Sequence, residues 1–192
     1  VIGAALSLMP IGQTLVVGTG AVLTSAAVML SVTQRVNAES AEFYFKRAYN
    51  KANKGDNYGA ISDYTKVIEI NPGIANAYNN RGNAKHALAD YSGAISDFNK
   101  TLQINPKDAE AYYNRGNAKD SLADYSGAIS DYTKALEINP KDADAYNNRG
   151  FSKSQLGDQK GACNDYKKAA VLGSYSTGEW ITSDSGAWCR NM

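Results

Sequence analysis

The chain repeats itself every 34 residues, and this period constrains its fold more than any other property. Ala75–Asp108 and Ala109–Asp142 align without a gap and agree at 26 of 34 positions. Ala41–Ile74 and Ala143–Ser176 continue the register on either side. Pro72, Pro106 and Pro140 recur at this spacing, as do Ala60, Ala94, Ala128 and Ala162. A unit this short cannot bury its apolar face alone, so consecutive units must stack and supply each other's core.

Each unit carries two helical patterns. In the third, helices are expected over about Ala109–Leu122 and Ser126–Ile138, with Asp124 and Tyr125 at the turn. Asn139 precedes Pro140, and a residue before proline is pushed out of helical backbone, so the second helix stops there. Gly116 is expected to face Ala128 in the helix hairpin, with Tyr112 and Tyr132 filling the space beside these small residues.

These positions resemble the tetratricopeptide repeat (TPR) family. Its pattern, an aromatic at repeat position 4, small at 8, Ala at 20, aromatic at 24, small at 27 and Pro at 32, is met in the third unit by Tyr112, Gly116, Ala128, Tyr132, Ala135 and Pro140. The first unit has Tyr44, Ala48, Ala60, Tyr64, Val67 and Pro72; the second has Tyr78, Gly82, Ala94, Phe98, Thr101 and Pro106. The fourth has Tyr146, Gly150, Ala162, Tyr166 and Ala169, with Gly173 and Ser174 in place of the Asn-Pro ending. The resemblance implies an all-α chain: a right-handed α-solenoid of about four repeats (41–74, 75–108, 109–142 and 143–176) within a domain spanning 39–176.

Two positions depart from the family pattern. Position 7, usually Leu, is Arg47, Arg81, Arg115 and Arg149; position 11, usually Tyr, is Lys51, Lys85, Lys119 and Lys153. Residues four apart share a helix face. Every unit also has Asp at position 23: Asp63, Asp97, Asp131 and Asp165. One reading is a basic stripe for an anionic ligand. The other is a ladder of Arg–Asp pairs between helices, favoured by the matched charges and by the planar fit of guanidinium to carboxylate.

In the family, the first helix of each repeat lines a concave groove that binds extended peptides. The resemblance places in that groove Phe45, Lys46, Tyr49, Asn79, Asn80, Asn83, His86, Tyr113, Asn114, Asn117, Asn147, Asn148 and Phe151. Carboxamides both donate and accept, so Asn side chains spaced along a groove can grip a peptide backbone. A protein partner, presenting a peptide segment or a membrane-complex subunit, is therefore expected. Some family members clamp a C-terminal carboxylate of a chaperone with Lys and Arg. Here only Lys46 stands on those positions, and Glu42, Glu110 and Asp144 would repel an acidic tail.

The 39 formal charges, 20 basic and 19 acidic, all lie from Arg35 onward. Residues 1–38 thus form a separate, apolar N-terminal segment. Within it, 11–32 carries no ionisable group and is long enough for a single transmembrane helix. Arg35, Lys46, Arg47, Lys51 and Lys54 follow, which by the positive-inside rule puts the repeats on the cytoplasmic side. Two alternatives are a signal peptide cleaved near Ala38, giving a periplasmic or secreted protein, and a buried soluble helix. The leading expectation is a membrane-bound adaptor aiding assembly of a membrane complex. A stable accessory subunit of such a complex is the alternative.

Nothing in the sequence calls for catalysis, a cofactor or a metal. His86 is the single histidine, no phosphate-binding loop is present, and the near-neutral charge balance argues against nucleic acid. Cys163 stands where other units have Ile61, Ile95 and Ile129, and reads as a small core residue. It could pair with Cys189 if the tail folds back in an oxidising compartment, or both could stay reduced. Residues 177–192 are expected to cap the solenoid, with a short helix over 177–182 and Trp180 covering the last repeat.

Overall fold

The computed structural model describes residues 15–17, 21–23, 25–174 and 189. Among the described residues, eight helices follow two short strands. The strands are β1 (Leu15–Val17) and β2 (Ala21–Leu23). The helices are α1 (Ser25–Asn53), α2 (Asn57–Ile70), α3 (Ala75–Ala87), α4 (Tyr91–Ile104), α5 (Ala109–Ser121), α6 (Tyr125–Ile138), α7 (Ala143–Gln155) and α8 (Gln159–Val171). They pair as α1–α2, α3–α4, α5–α6 and α7–α8, and the second helix of each pair packs on the first helix of the next. The solenoid of four helix-turn-helix units is therefore present at the expected register.

The uncharged segment differs from expectation. Among its described residues β1 and β2 are extended and pair antiparallel, Val16 opposite Val22, and α1 begins at Ser25. The β-branched Val16, Val17 and Val22 favour extended backbone, and Gly18 and Gly20 between the two runs disfavour helix. Among the described residues no helix is long and apolar enough to cross a membrane. The described residues thus give no support to the expected transmembrane helix, while the eight helices give the expected all-α solenoid. The expected capping helix over 177–182, with Trp180, lies outside the described residues, as does Trp188.

Most helix boundaries within the repeats have a local cause that recurs with the period. Asp56, Asp90, Asp124 and Asp158 cap the second helices, each carboxylate accepting from the backbone N–H three residues on, at 2.9–3.0 Å. Such a cap contributes about 1 kcal/mol. Asn71, Asn105 and Asn139 leave the helical region before proline, with φ of −143°, −125° and −123°. The turn between paired helices needs one left-handed residue, which is Gly55 or Gly157 in the outer repeats but Ala89 (φ 60°) and Ala123 (φ 59°) in the inner two. Alanine in this region is strained by about 1 kcal/mol. Ala89→Gly and Ala123→Gly should therefore each raise unfolding free energy by about 0.5–1 kcal/mol, read from urea midpoints.

The core is built from small residues facing large rings. Ala60, Ala94, Ala128 and Ala162 are fully buried, and so are Tyr64, Phe98 and Tyr132. The ring of Tyr132 lies over Gly116: a Cβ built there would be 2.7 Å from Tyr132 Cε1. Phe98 sits the same way over Gly82, and Tyr166 over Gly150. The missing side chain is what lets the ring lie flat against the helix.

The basic residues at positions 7 and 11 resolve into a ladder of internal triads. Arg115 donates from Nε (2.9 Å) and Nη2 (2.6 Å) to Asp131, and Lys119 Nζ approaches the same carboxylate at 2.7 Å. Arg47, Lys51 and Asp63 repeat this geometry, as do Arg81, Lys85 and Asp97, and Arg149, Lys153 and Asp165. The remaining guanidinium arm reaches the preceding repeat. Arg81 bonds Thr65 Oγ1 at 3.0 Å, Arg149 bonds Thr133 Oγ1 at 3.1 Å, and Arg115 bonds Asn99. Each Arg also lies over the position-4 ring of its own repeat, 5.0–5.6 Å from the centroid. Pairing rather than an anion-binding stripe is what these residues do.

Cys189 is disulfide-bonded to Cys163 of α8, their Cα atoms 5.3 Å apart. Both are buried. Of the two redox readings left open by the sequence, the structure takes the bridged one. Closing a loop across 26 residues contributes roughly 3–4 kcal/mol by restricting the unfolded chain.

Candidate functional site

The first helices α1, α3, α5 and α7 meet side by side along one face of the stack. The residues they carry at positions 5, 6, 9 and 12 fall on this common surface, but their environments differ from one interval to the next.

Between α5 and α7 the surface is tied together by hydrogen bonds. Asn148 donates to Asn117 Oδ1 (2.9 Å) and to the Tyr113 phenol oxygen (3.1 Å). The Tyr132 hydroxyl lies 2.8 Å from both Asn117 Oδ1 and Asp120 Oδ2, which share its one proton. Ser152 donates to Asp120 Oδ1 at 2.7 Å. Burial pushes the Asp120 carboxyl above the ordinary carboxylate range, against the lowering effect of its Ser152 and Tyr132 bonds. Burial, and then Asp120, push the Tyr132 phenol far up, so it is a permanent donor. Asn147 donates to Asn148 (3.4 Å), and Phe151 meets Tyr125 edge-on at 6.3 Å.

Between α3 and α5 the arrangement is lighter. Asn79 is buried, donates to Glu110 (3.1 Å) and accepts from Asn114 (3.3 Å). His86 packs edge-on against Tyr91, 5.1 Å between centroids, and lies 3.4 Å from Ser121 Oγ.

Between α1 and α3 the surface opens. A cavity of about 210 Å³ is lined by Tyr49, Ala52, Asn53, Asn57, Tyr64, Asn80, Asn83 and Ala84. Burial pushes the Tyr64 phenol up, and Asn80 stands with it in the cavity wall. Next to it, Phe45, Lys46, Tyr49 and Asn50 form a second, shallower hollow of about 450 Å³. Phe45 packs edge-on to Tyr64 at 5.5 Å, and exposed Lys46 is held by Glu42 at 2.6 Å.

Of the thirteen expected groove residues, Asn79, Tyr113, Asn114, Asn117 and Asn148 bond across neighbouring repeats, His86, Asn147 and Phe151 meet Tyr91, Asn148 and Tyr125, and Phe45, Lys46, Tyr49, Asn80 and Asn83 border open space. Asp120 and Ser152 were missed as groove residues, although both break the repeat: position 12 is otherwise Ala52, His86 and Ser154, and position 10 is otherwise Asn50, Ala84 and Ala118. Asn53 and Asn57 carried no such signal until the cavity brought them together. Among the described residues no group of His, Cys, Asp and Glu is arranged to hold a metal ion.

Stacked helix hairpins of constant length, with a groove formed by the first helix of each, define an α-solenoid of the protein-recognition type. Family models described as tetratricopeptide repeat match residues 41–74, 75–108, 109–142 and 131–164. The chain belongs to the tetratricopeptide repeat family. No curated protein gives a significant match. Among solved structures, the chain is similar to the MamA protein, with 24% identity over 80% of this chain and 88% of that one, and a TM-score of 0.70. It is also similar to the TPR domain of Arabidopsis OM64, with 27% identity, 62% and 98% covered, and a TM-score of 0.60. The first TPR domain of Spaghetti (RPAP3), bound to the HSP90 peptide SRMEEVD, has 27% identity, 62% and 94% covered, and a TM-score of 0.61. TPR proteins are in general non-catalytic interaction modules, and the fold is that of a protein–protein interaction scaffold.

Proposed function

We propose that the chain is a non-catalytic adaptor that holds an extended segment of a protein partner in the groove lined by α1, α3, α5 and α7. The observation that carries this reading is the column of carboxamides along that face, open to solvent at Asn83 and bordering a cavity at Asn80. Carboxamides there can pair with both N–H and C=O of a peptide backbone. An acidic tail such as the peptide held by Spaghetti is not the class proposed, because Lys46 is already paired with Glu42 and no second cation faces the groove beside it. Asn114 and Asn148 hold repeats together, so the discriminating variant is Asn80→Ala with Asn83→Ala. It should keep its helical circular dichroism and lose at least tenfold of partner recovery from detergent extracts. Unchanged recovery would refute the groove.

The finer reading is that residues 1–34 direct this adaptor to a membrane system, where it aids assembly of a complex. The apolar, uncharged composition of that segment supports it. The Cys163–Cys189 bridge weighs toward the exported alternative over the cytoplasmic one, because structural disulfides persist in oxidising compartments. Intact mass of the native protein, with and without alkylation, tests both points. Two alkylatable thiols would sink the exported reading, and loss of residues up to Ala38 would identify cleavage.

A further inference from the structure

We infer that the cavity between the first and second repeats is a specificity pocket that accepts an uncharged, hydrogen-bonding side chain of the bound segment, of the carboxamide or hydroxyl class. This rests on the groove reading above and sharpens it to one position of the ligand.

The four repeats are near copies, so the structure supplies its own comparison. Position 12 of the first repeat is Ala52 and position 17 is Asn57. In the second repeat the same positions are His86 and Tyr91, whose rings close on each other at 5.1 Å. In the third interval Tyr125 (position 17) and Phe151 (position 9 of the next repeat) meet at 6.3 Å, and Asp120 is tied down by Tyr132 and Ser152. The space that aromatic plugs fill farther along is left as a cavity of about 210 Å³ in the first interval.

Its lining decides what fits. Four carboxamides (Asn53, Asn57, Asn80, Asn83) and two phenols (Tyr49, Tyr64) surround it, and no lining side chain carries a charge. A charged side chain entering here would lose hydration without gaining a counter-charge, which is unfavourable. An aliphatic one would leave the amides facing it without partners. A side chain that both donates and accepts satisfies the carboxamides in either orientation. The Tyr64 phenol and Asn80 stand together in one wall. In the third interval the equivalent Tyr132 hydroxyl is spent on Asp120 and Asn117.

The test uses an immobilised positional-scanning array of decapeptides probed with the full chain. Wild type should favour Asn, Gln, Ser or Thr over Asp, Glu, Lys and Arg at one ligand position by about fivefold or more. Asn83→Asp and, separately, Asn57→Asp place a carboxylate in the wall and should move that position's preference to Lys or Arg, by about five- to tenfold relative to wild type. Asn57 opens α2, where an acidic residue suits the helix N-terminus, so this variant keeps the fold. The double variant Ala52→His, Asn57→Tyr copies the second-repeat plug into the cavity and should erase the selectivity while binding persists. Binding with a position preference unmoved by all three variants would overturn the pocket and leave the groove standing. Absence of any captured peptide by wild type would overturn the groove and the pocket together.

Discussion

Replacing Asp131 with alanine should cost about 3–5 kcal/mol of stability, whereas replacing its partner Arg115 with leucine should cost less than half of that. The asymmetry follows from the triad. Asp131 is 2% exposed and is the single carboxylate shared by two cations, Arg115 and Lys119, whose side chains are 18% and 21% exposed. Removing the carboxylate leaves both positive charges largely desolvated and unpaired. Removing Arg115 leaves Asp131 paired with Lys119, and leucine restores the apolar residue that the family usually carries at position 7. Urea unfolding of the two variants decides the matter, and equal losses would show that the ladder is not organised around the carboxylate. The same pairing makes the first repeat acid-sensitive. The Arg47 hydrogen bond, opposed by burial and aided by Lys51, draws the Asp63 carboxyl from its ordinary 3.8 down to about 2. A depressed carboxylate contributes stability that is complete above the unfolded value and is lost as pH falls through the folded one. The contribution should therefore disappear between about pH 4 and pH 2, and Asp63→Asn should remove that limb of the pH profile.

Tyr132→Ala should also cost about 3–5 kcal/mol, and Tyr132→Phe about 1–2 kcal/mol. The ring is fully buried over Gly116, which has no side chain to relax into the space left by its removal. The hydroxyl is a separate contribution: its one proton is shared between Asp120 and Asn117 at the joint of the third and fourth repeats. Phe98, already lacking that hydroxyl at the same position of the second repeat, shows that the ring alone packs well there. The difference between the two substitutions measures the joint. A phenylalanine variant as stable as wild type would mean that Ser152 alone satisfies Asp120.

Much of this molecule was legible before any coordinates because its signals are local and repeated four times. Asp124 before a helix, Asn139 before Pro140 and the small residues at Gly116 and Ala128 act within a few residues of themselves or across one hairpin. The Arg–Asp ladder was legible as one of two readings, and geometry chose between them. The N-terminal segment was not legible, because its length and lack of charge suit one apolar helix whereas its β-branched valines and its glycines disfavour one. Asp120, Ser152, Asn53 and Asn57 escaped notice because their roles depend on which residues of different repeats come to lie opposite one another.

The sequence by itself determined the repeat, the helix boundaries within it and the register of the stack. Those follow from backbone preferences and from a period that admits one way of stacking. Only the tertiary structure decided that the carboxamides are unequal. Toward the C-terminal end of the groove they are spent on neighbouring repeats, and between the first two repeats they border open space. The physical reason is that a hydrogen bond between helices is set by side chains some 31 to 35 residues apart meeting within about 3 Å. That distance is fixed by packing, which a linear pattern does not contain.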